Sequence, residues 1–444
     1  MREGKILRKP CALVFALLLA SMAGLLSSFQ TAKAITTIYI QADGGVLPIT
    51  APIQRNGNVY TLTGNIISDT DGIVIETNNT ILDGAGHSIQ GINTPSSNGI
   101  YLSGNHNVTI KNIDIKGFES GILLDAYSTY NNIIGNTVER NVYGVNCWAY
   151  ADNNSIIGNN ITGNSLAGVW IAGSSNDTVT ENNIVANSLG INLQSSSNDS
   201  IHHNNFVDNP TQTSIYESPG TWDNDYPSAG NYWSDYVGSD NYSGPNQNQP
   251  GSDGIGDTPY NCTANDQDRY PLMQAWTNIA VESVSPSKTA VEQGQNVTIT
   301  VSVQNQGWEG QTTNVTVFVN TTIVSTFKNV ALAGRSQTTL KFTWQTTAFA
   351  RGNYTITTRA DPVQNEPDIR DNTLTYSRIA VTITGDINGD GTVNILDAIM
   401  LSNSFLATRG TQSWNPNADL NDDGIVNILD AIILANNFGR TSTK

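Results

Sequence analysis

The sequence predicts a mainly β protein: a right-handed parallel β-helix, then an Ig-like β-sandwich, then a small all-α module. Three observations predict this order. A repeat of 22 to 24 residues runs between residues 99 and 209, apolar and polar residues alternate from 278 to 384, and two similar acidic blocks lie 33 residues apart near the C-terminus. A chain of 444 residues is long enough for about three domains.

The N-terminus has the pattern of a secretory signal peptide over residues 1–34. A basic segment from Arg2 to Lys9 precedes an apolar run from Ala12 to Leu26, and Ala32-Lys33-Ala34 matches a cleavage site. An uncleaved membrane anchor is the alternative, but the apolar run is short for a span. We expect a secreted protein, extracellular or held at the cell surface by a partner, with no transmembrane segment after cleavage.

The charge balance limits the partners. Only 13% of the residues are charged, yet the formal net charge is −17. Such a surface repels nucleic acid and anionic lipid and suits cations and neutral glycans. We therefore expect no nucleic-acid partner, although solubility alone would also explain the acidity.

Residues 35–219 are assigned to the β-helix because apolar and Asn columns repeat in one register. The unit is too short for two helices and is rich in Asn, Gly, Ser and Thr, so each coil should hold short strands and bends. Equivalent side chains should stack from coil to coil about 4.8 Å apart. The columns are Ile100, Ile122, Val145, Val169 and Ile191; Ile110, Ile133, Ile156, Val179 and Ile201; Ile115, Val138, Ile161, Ile184 and Phe206; Asn136, Asn159, Asn182 and Asn204; and Asn141, Asn164, Asn187 and Asn209.

The spacing inside each unit predicts a bend. Two of its apolar positions are five residues apart, and an odd spacing cannot keep both on one face of a straight strand. The Asn136 column falls at this bend, where we expect Asn to adopt left-handed backbone geometry. Cys147 stands in a column of Leu and Ile, so it should be buried; a bridge to Cys262 is the alternative.

Two further segments precede the tail. Residues 220–276 are rich in Trp, Tyr, Asp, Gly and Pro and should cap the open end of the β-helix. Asp240, Asp253 and Asp257 in this cap could form a calcium site. Residues 277–384 contain six or seven alternating strand patterns and no Cys pair, which favours a β-sandwich that is not of the antibody type.

Residues 385–444 contain two 12-residue loops of the calcium-binding pattern. Positions 1, 3, 5, 7, 9 and 12 carry oxygen ligands, and position 6 is the glycine that the sharp turn requires. Each loop leads into an apolar helix pattern, so we expect two Ca²⁺ ions and folding coupled to their binding. The expected ligands are Asp386, Asn388, Asp390, the carbonyl of Thr392, Asn394 and Asp397 in the first loop, and Asp419, Asn421, Asp423, the carbonyl of Ile425, Asn427 and Asp430 in the second.

These loops and helices resemble a type I dockerin, a small calcium-binding module that binds cohesin modules. Ile395 and Leu396, with Ile428 and Leu429, stand where that family carries recognition residues. The resemblance implies a cohesin-bearing scaffold or surface protein as partner. The near identity of the two halves implies binding in two orientations. Many dockerins carry Lys or Arg in these helices and this chain does not, which implies a more apolar cohesin face.

Two other segments resemble known families. The stretch from Thr80 to Ile89, the coil repeat and the segment from Gly230 to Tyr236 resemble the NosD-type β-helix proteins, whose fold is shared with carbohydrate-binding and sugar-hydrolysing proteins. The stretch from Glu366 to Asn372 resembles the CARDB family, which implies a spacer. Some NosD relatives are linked to copper, but only His202-His203 suggests such a site, and adjacent strand residues should face opposite sides.

Together these features predict a secreted modular protein that docks onto cohesin through calcium, its β-helix presenting a carbohydrate-binding surface in polysaccharide catabolism. Trp148 and Trp170, expected to point outward from adjacent coils, are the candidate glycan contacts. One alternative is a polysaccharide hydrolase or lyase acting on O-glycosidic bonds. Its catalytic residues are unknown, although Asp114, Glu139 and Glu181 lie near the bend. Another alternative is a structural surface adhesin.

Overall fold

The computed structural model describes residues 36–364, 366 and 369–442, so the predicted signal peptide lies outside the described residues. The protein divides into two compact units. Of the described residues, the first holds those up to Ser155 with Asn159–Asn176 and Asn187–Ser196, and the second holds Ile156–Gly158, Asp177–Ala186 and those from Ser197 onward. No helix between residues 36 and 442, as far as they are described, is long and apolar enough to cross a membrane.

The predicted fold class is confirmed: a β-solenoid of about eight turns is followed by CARDB-like sheets and two C-terminal helices. The strands of the solenoid are short, because bends interrupt each coil. In chain order they are β1 (Ile38–Ile40), β2 (Val46–Leu47), β3 (Ile53–Asn56), β4 (Val59–Leu62), β5 (Ile66–Ser68), β6 (Ile73–Ile75), β7 (Ile81–Asp83), β8 (Ser88–Gly91), β9 (Asn98–Ser103), β10 (Thr109–Lys111), β11 (Asp114–Lys116), β12 (Ser120–Asp125), β13 (Asn132–Ile134), β14 (Thr137–Glu139), β15 (Tyr143–Trp148), β16 (Ser155–Ile157), β17 (Asn160–Thr162), β18 (Ala167–Ala172), β19 (Thr178–Thr180), β20 (Asn183–Val185), β21 (Leu189–Gln194), β22 (Asp199–His202), β23 (Asn205–Val207) and β24 (Thr211–Tyr216).

In the first unit, equivalent strands of successive coils pair in parallel. One sheet runs β1-β6-β9-β12-β15-β18-β21, a second runs β4-β7-β10-β13 and a third runs β5-β8-β11-β14-β17. The predicted column that contains Val145 is confirmed, since Val145 pairs with both Ile122 and Val169. Cys147 is fully buried in its column and is not part of a disulfide bond.

The side chains of the Asn columns are buried and form hydrogen-bonded ladders, and these Asn residues do not adopt the left-handed backbone geometry that was expected. Asn164 donates from Nδ2 to the carbonyl of Val138 at 3.1 Å, and its Oδ1 accepts from the backbone nitrogen of Asn141 at 3.0 Å. The left-handed residue is the one before each ladder position, such as Gly135 before Asn136 and Gly163 before Asn164. The prediction placed positive φ on the wrong residue because both lie in the same bend, while the ladder Asn must point inward to reach the neighbouring coils.

In the second unit, cap residues extend two sheets of the solenoid. Strand β25 (Gly220–Thr221) pairs with β22, and β26 (Tyr232–Trp233) pairs with β23. Trp233 stacks on Phe206, with ring centroids 4.4 Å apart, and so covers the apolar interior as expected of a cap. The remaining cap strands are β27 (Tyr242–Ser243), β28 (Gln249–Pro250), β29 (Tyr260–Asn261) and β30 (Gln267–Asp268).

The sandwich follows, with eight described strands where six or seven were expected. A three-stranded sheet, β31-β33-β36, faces a five-stranded sheet, β32-β38-β37-β34-β35, around a Val- and Ile-rich core. The bounds are β31 (Ile279–Pro286), β32 (Ala290–Glu292), β33 (Asn296–Asn305), β34 (Gln311–Val319), β35 (Thr322–Leu332), β36 (Gln337–Gln345), a 3₁₀ turn (Thr346–Ala348), β37 (Gly352–Ala360) and β38 (Thr373–Thr382).

The tail holds two short helices, α1 (Ile395–Asn403) and α2 (Ile428–Asn437). Each helix follows an acidic loop. Few of its side chains are buried, and among these Leu401 and Leu434 pack in a small apolar core. The other members of this core are Ile383, Ile387, Val393, Ala418 and Val426.

Candidate functional site

The two acidic loops hold positions 1, 3 and 5 together in the same way. In the first loop Asp390 donates its backbone N–H to Oδ1 of Asp386 at 3.2 Å, and Asn388 Nδ2 lies 2.9 Å from Asp390 Oδ2. In the second loop the equivalent distances are 3.1 Å and 2.8 Å. The backbone turns at Gly391 and Gly424, with φ of 92° and 89°, which a side chain would strain.

The acidic residue at position 12 anchors both its loop and the following helix. Asp397 is fully buried, and its carboxylate accepts from the backbone nitrogens of Ile387, Asn388 and Asn394. Asp430 makes the corresponding bonds in the second loop. The residue at position 9 is the helix N-cap, since Asn394 Oδ1 accepts from the backbone nitrogen of Leu396 at 2.8 Å. Sequence reasoning assigned Asn394 only to the ion and missed this capping role, although Asn before an apolar run with Asp three residues later is a capping-box pattern.

The chemistry of these loops fits a hard divalent cation. Every predicted ligand offers oxygen, which Ca²⁺ prefers. Burial raises the pKa of Asp386, and the nearby charges of Asp397 and Asp390 raise it further, against bonds from Thr382 and Gly391 that lower it. Like charges crowded in this way are relieved by a bound cation. Among the described residues no group of three or more His, Cys, Asp or Glu side chains is arranged to hold a metal ion, and the Asp386 carboxylate accepts from the backbone nitrogens of Gly389 and Gly391. Their assignment as ligands stays a prediction.

The outer faces of the two helices expose matching apolar side chains. Ile395 and Ile428 are each 61% exposed, and Leu396 and Leu429 are each about half exposed. One turn further along, Ile399 and Ile432 extend the patches. A monomeric soluble protein seldom exposes such contiguous apolar side chains unless a partner covers them.

The candidate calcium ligands in the cap each bind backbone groups. The Asp240 carboxylate accepts from Asp253 N and Gly254 N, and the Asp257 carboxylate accepts from Asn241 N and Tyr242 N. Asp253 accepts from Gly244 N and Ile255 N. The three carboxylates therefore stabilise adjacent turns, and a third calcium ion at this place stays a prediction.

The two candidate tryptophans differ in exposure. Trp148 is 49% exposed and lines a surface groove of about 490 Å³ with Tyr150, Asp152 and Gln194. Beside it the exposed rings of Tyr127 and Tyr150 stack with centroids 5.3 Å apart. Trp170 is only partly exposed, because Tyr143 packs edge-on against it at 5.3 Å. The strand register puts Ala172, not Trp170, opposite Trp148, so the exposed aromatic surface is formed by Trp148 and the two tyrosines.

Two of the three carboxylates near the bend come together. Lys116 Nζ lies 3.5 Å from Asp114 Oδ2 and 3.4 Å from Glu139 Oε1, on the outer face of the third sheet. Glu181 pairs instead with Arg335 of the sandwich, 3.5 Å away.

The adjacent histidines do not face opposite sides. The rings of His202 and His203 meet edge to face with centroids 4.7 Å apart. The expectation was wrong because His203 has a φ of 58°, which breaks the alternation of a strand. Burial lowers the pKa of His202 to about 4, so His202 is neutral at physiological pH.

Three family models match the chain, each over a different segment. Periplasmic copper-binding protein (NosD) matches residues 35–238, CARDB matches residues 278–375, and the dockerin type I domain matches residues 384–439. No curated protein matches the chain.

Several solved structures are similar to parts of the chain. The CARDB domain of a Pyrococcus furiosus protein is 23% identical, covers 24% of this chain and 96% of its own, and has a TM-score of 0.22. A domain of a putative cell surface protein from Methanosarcina acetivorans is 28% identical, with 24% and 92% covered and a TM-score of 0.21. The periplasmic alginate epimerase AlgG is 19% identical, with 36% and 39% covered and a TM-score of 0.29.

Type I dockerin domains in general bind calcium, and a dockerin domain implies a cohesin partner. Proteins that carry them are generally extracellular or associated with the cell surface. Segment by segment, the chain is thus similar to the NosD, CARDB and type I dockerin families, in that order.

Proposed function

We propose that this is an exported protein that docks onto a cohesin-bearing scaffold or surface protein when its two loops each bind Ca²⁺. The observation that carries the proposal is the pair of matching apolar helix faces. Ile395 and Leu396 on α1, and Ile428 and Leu429 on α2, lie at equivalent positions and have nearly equal exposure. Either face can therefore offer a partner the same surface.

Paired variants test this docking. The full chain is titrated against a panel of recombinant cohesin modules with Ca²⁺ and with EDTA. Substituting Ile395 and Leu396 by Ala should leave binding through the other helix, and so should substituting Ile428 and Leu429. Changing all four should abolish binding, and EDTA should do the same to the unmodified chain. Binding that survives the fourfold variant would exclude these faces as the docking surface.

We also propose that the β-helix binds a neutral polysaccharide along the groove beside Trp148. Sugar rings bind to aromatic faces through their apolar C–H surfaces, and the groove offers an indole next to two stacked tyrosine rings. Asp152 and Gln194 in the same groove can bond sugar hydroxyls. This binding would direct the cohesin-bearing scaffold, and the proteins docked on it, to the polysaccharide that they degrade.

Affinity electrophoresis in gels that contain soluble polysaccharides tests the groove. Trp148→Ala should remove most of the retardation, whereas Tyr216→Ala, which changes another exposed aromatic residue, should leave it unchanged. Trp170→Ala should have the smaller effect, because Tyr143 covers part of that ring. Equal retardation of the Trp148 variant and the unmodified chain would exclude the groove.

A polysaccharide lyase or hydrolase is the second candidate, favoured by the Asp114, Lys116 and Glu139 cluster. Two carboxylates on either side of a lysine are groups that could exchange protons with a sugar. Release of reducing or unsaturated ends from a polysaccharide panel, lost in Glu139→Gln, would establish this activity. A protein that neither binds nor cleaves polysaccharide would be a structural surface adhesin.

A further inference from the structure

The sandwich holds the first calcium loop at two points. Thr382 at the end of β38 donates its hydroxyl to Oδ2 of Asp386, the residue at position 1. On the same strand, Arg378 Nη2 donates to the carbonyl of Gly389, at position 4, at 2.8 Å. The packing there is close, since a Cβ on Gly389 would lie 2.7 Å from the Cβ of Ala380.

The sandwich holds the second loop at the same two positions with different groups. Lys288 Nζ donates to the carbonyl of Asp419, at position 1, at 2.8 Å and lies 2.7 Å from Oδ1 of Asp422, at position 4. Asn417, just before this loop, accepts from the backbone nitrogen of Thr289 at 3.0 Å and donates to the carbonyl of Ile387 at 3.2 Å. The Asn417 side chain thus links the sandwich to the first loop, and Asn417 itself lies two residues before the second loop.

We propose that the CARDB-type sandwich is part of the calcium site rather than a spacer, and that Thr382 is a positioning residue for the first ion. A group that hydrogen-bonds a metal-binding carboxylate fixes its orientation, and its loss typically lowers metal affinity 10–100-fold. By linkage, the ion in turn tightens the contact between loop and sandwich. The inference rests on the proposed calcium-dependent docking and adds that the affinity is set partly by a residue outside the dockerin segment.

Calorimetric Ca²⁺ titration of the full chain tests the role of Thr382. Thr382→Val, which keeps the side-chain shape and removes the hydroxyl, should weaken one of the two sites about tenfold. Thr382→Ser should restore that site. Thr357→Val removes a hydroxyl that bonds only to Thr375 in the described contacts of the same sheet, and it should leave both sites unchanged.

Hydrogen exchange by mass spectrometry gives the second readout. Adding Ca²⁺ to the unmodified chain should slow exchange in the β38 peptide, and to a smaller extent in Thr382→Val. The inference is overturned if Thr382→Val binds both ions with unmodified affinity, or if Ca²⁺ binds without changing exchange in β38. An unmodified chain that takes up no Ca²⁺ would instead refute the proposed function, so the two failures are distinguishable.

Discussion

At the scale of single residues, the Asn ladders stabilise the solenoid by satisfying backbone groups at every bend. Asn164 bonds Val138 in one neighbouring coil and Asn187 in the other, with its Nδ2 2.9 Å from Asn187 Oδ1. Such a side chain cannot be shortened without leaving buried amide and carbonyl groups unpaired.

We expect Asn164→Ala to lower the free energy of unfolding by about 2 kcal/mol, because removing one partner of a buried hydrogen bond costs about 1–3 kcal/mol. Urea unfolding of the full chain measures this. Asn265→Ala, at an exposed position of the cap, is the matched control and should change little. A loss below about 0.5 kcal/mol at position 164 would contradict the structural role of the ladder.

We expect Asp268 to make the stability of the cap depend on pH. Asp268 is fully buried and accepts from Asn231 N at 2.7 Å and from Trp233 Nε1 at 2.9 Å. Burial raises its pKa to about 7, although these bonds lower it in part. Between the ordinary Asp pKa and this value the folded chain binds a proton that the unfolded chain lacks. The contribution of the Asp268 proton to the stability of the folded chain is therefore complete below the ordinary Asp pKa. It is lost as the pH rises through about 7.

The unfolding free energy of the cap should then fall by up to about 1.4 kcal/mol per pH unit between roughly pH 4 and pH 7. Tryptophan fluorescence follows the transition, since Trp222 and Trp233 are buried there. Asp268→Asn should flatten the dependence relative to the unmodified chain. Parallel pH profiles for the two proteins would show that Asp268 does not titrate in this window.

At the scale of elements, each acidic loop is joined to its helix by the hydrogen bonds of the Asp at position 12. Asp397 bonds the start of the loop at Ile387 and the helix N-cap at Asn394. In the described contacts, the Asn394 side chain bonds the carbonyl of Thr392 in the last part of the loop and the backbone nitrogen of Leu396 in the first turn of α1.

Asp397→Ala should therefore weaken the first calcium site more than Asn394→Ala, by at least about tenfold, because a carboxylate at position 12 can ligate with two oxygens. The same order should hold for Asp430→Ala and Asn427→Ala in the second loop. Calorimetric Ca²⁺ titration of the four variants measures these affinities. If the Asn variants lose as much affinity, the ligand assignment at position 12 is wrong.

At the scale of the whole molecule, the modules should respond differently to loss of calcium. Removing Ca²⁺ with EDTA should unfold residues 385–440, because clustered oxygen ligands repel one another without the ion. The solenoid should remain folded, since its parallel ladders and buried columns contain no calcium loop. Limited proteolysis with and without EDTA checks this. A tail that resists the protease equally in both conditions would contradict coupled folding.

Much of this organisation could be predicted from sequence, because it depends on local spacing. In-register stacking forces equivalent residues such as Ile122 and Val145 to recur once per coil, so the columns are visible in the sequence. The spacing of the predicted ligand positions is likewise local, because it spans only 12 residues of each loop. The bend geometry was only partly predictable, because Gly135 and Asn136 are neighbours and sequence spacing does not show which one adopts positive φ.

The sequence by itself determined the order of the modules, the coil register, the two acidic loops and the apolar helices that follow them, since each is encoded over a few tens of residues. Only the tertiary structure decided which aromatic rings stay exposed, because Tyr143 covers Trp170 from the coil before it. It also decided that the sandwich contacts the acidic loops, where Lys288 Nζ bonds the carbonyl of Asp419 across 131 residues of chain. Contacts at that separation depend on how modules pack, and no local pattern records them.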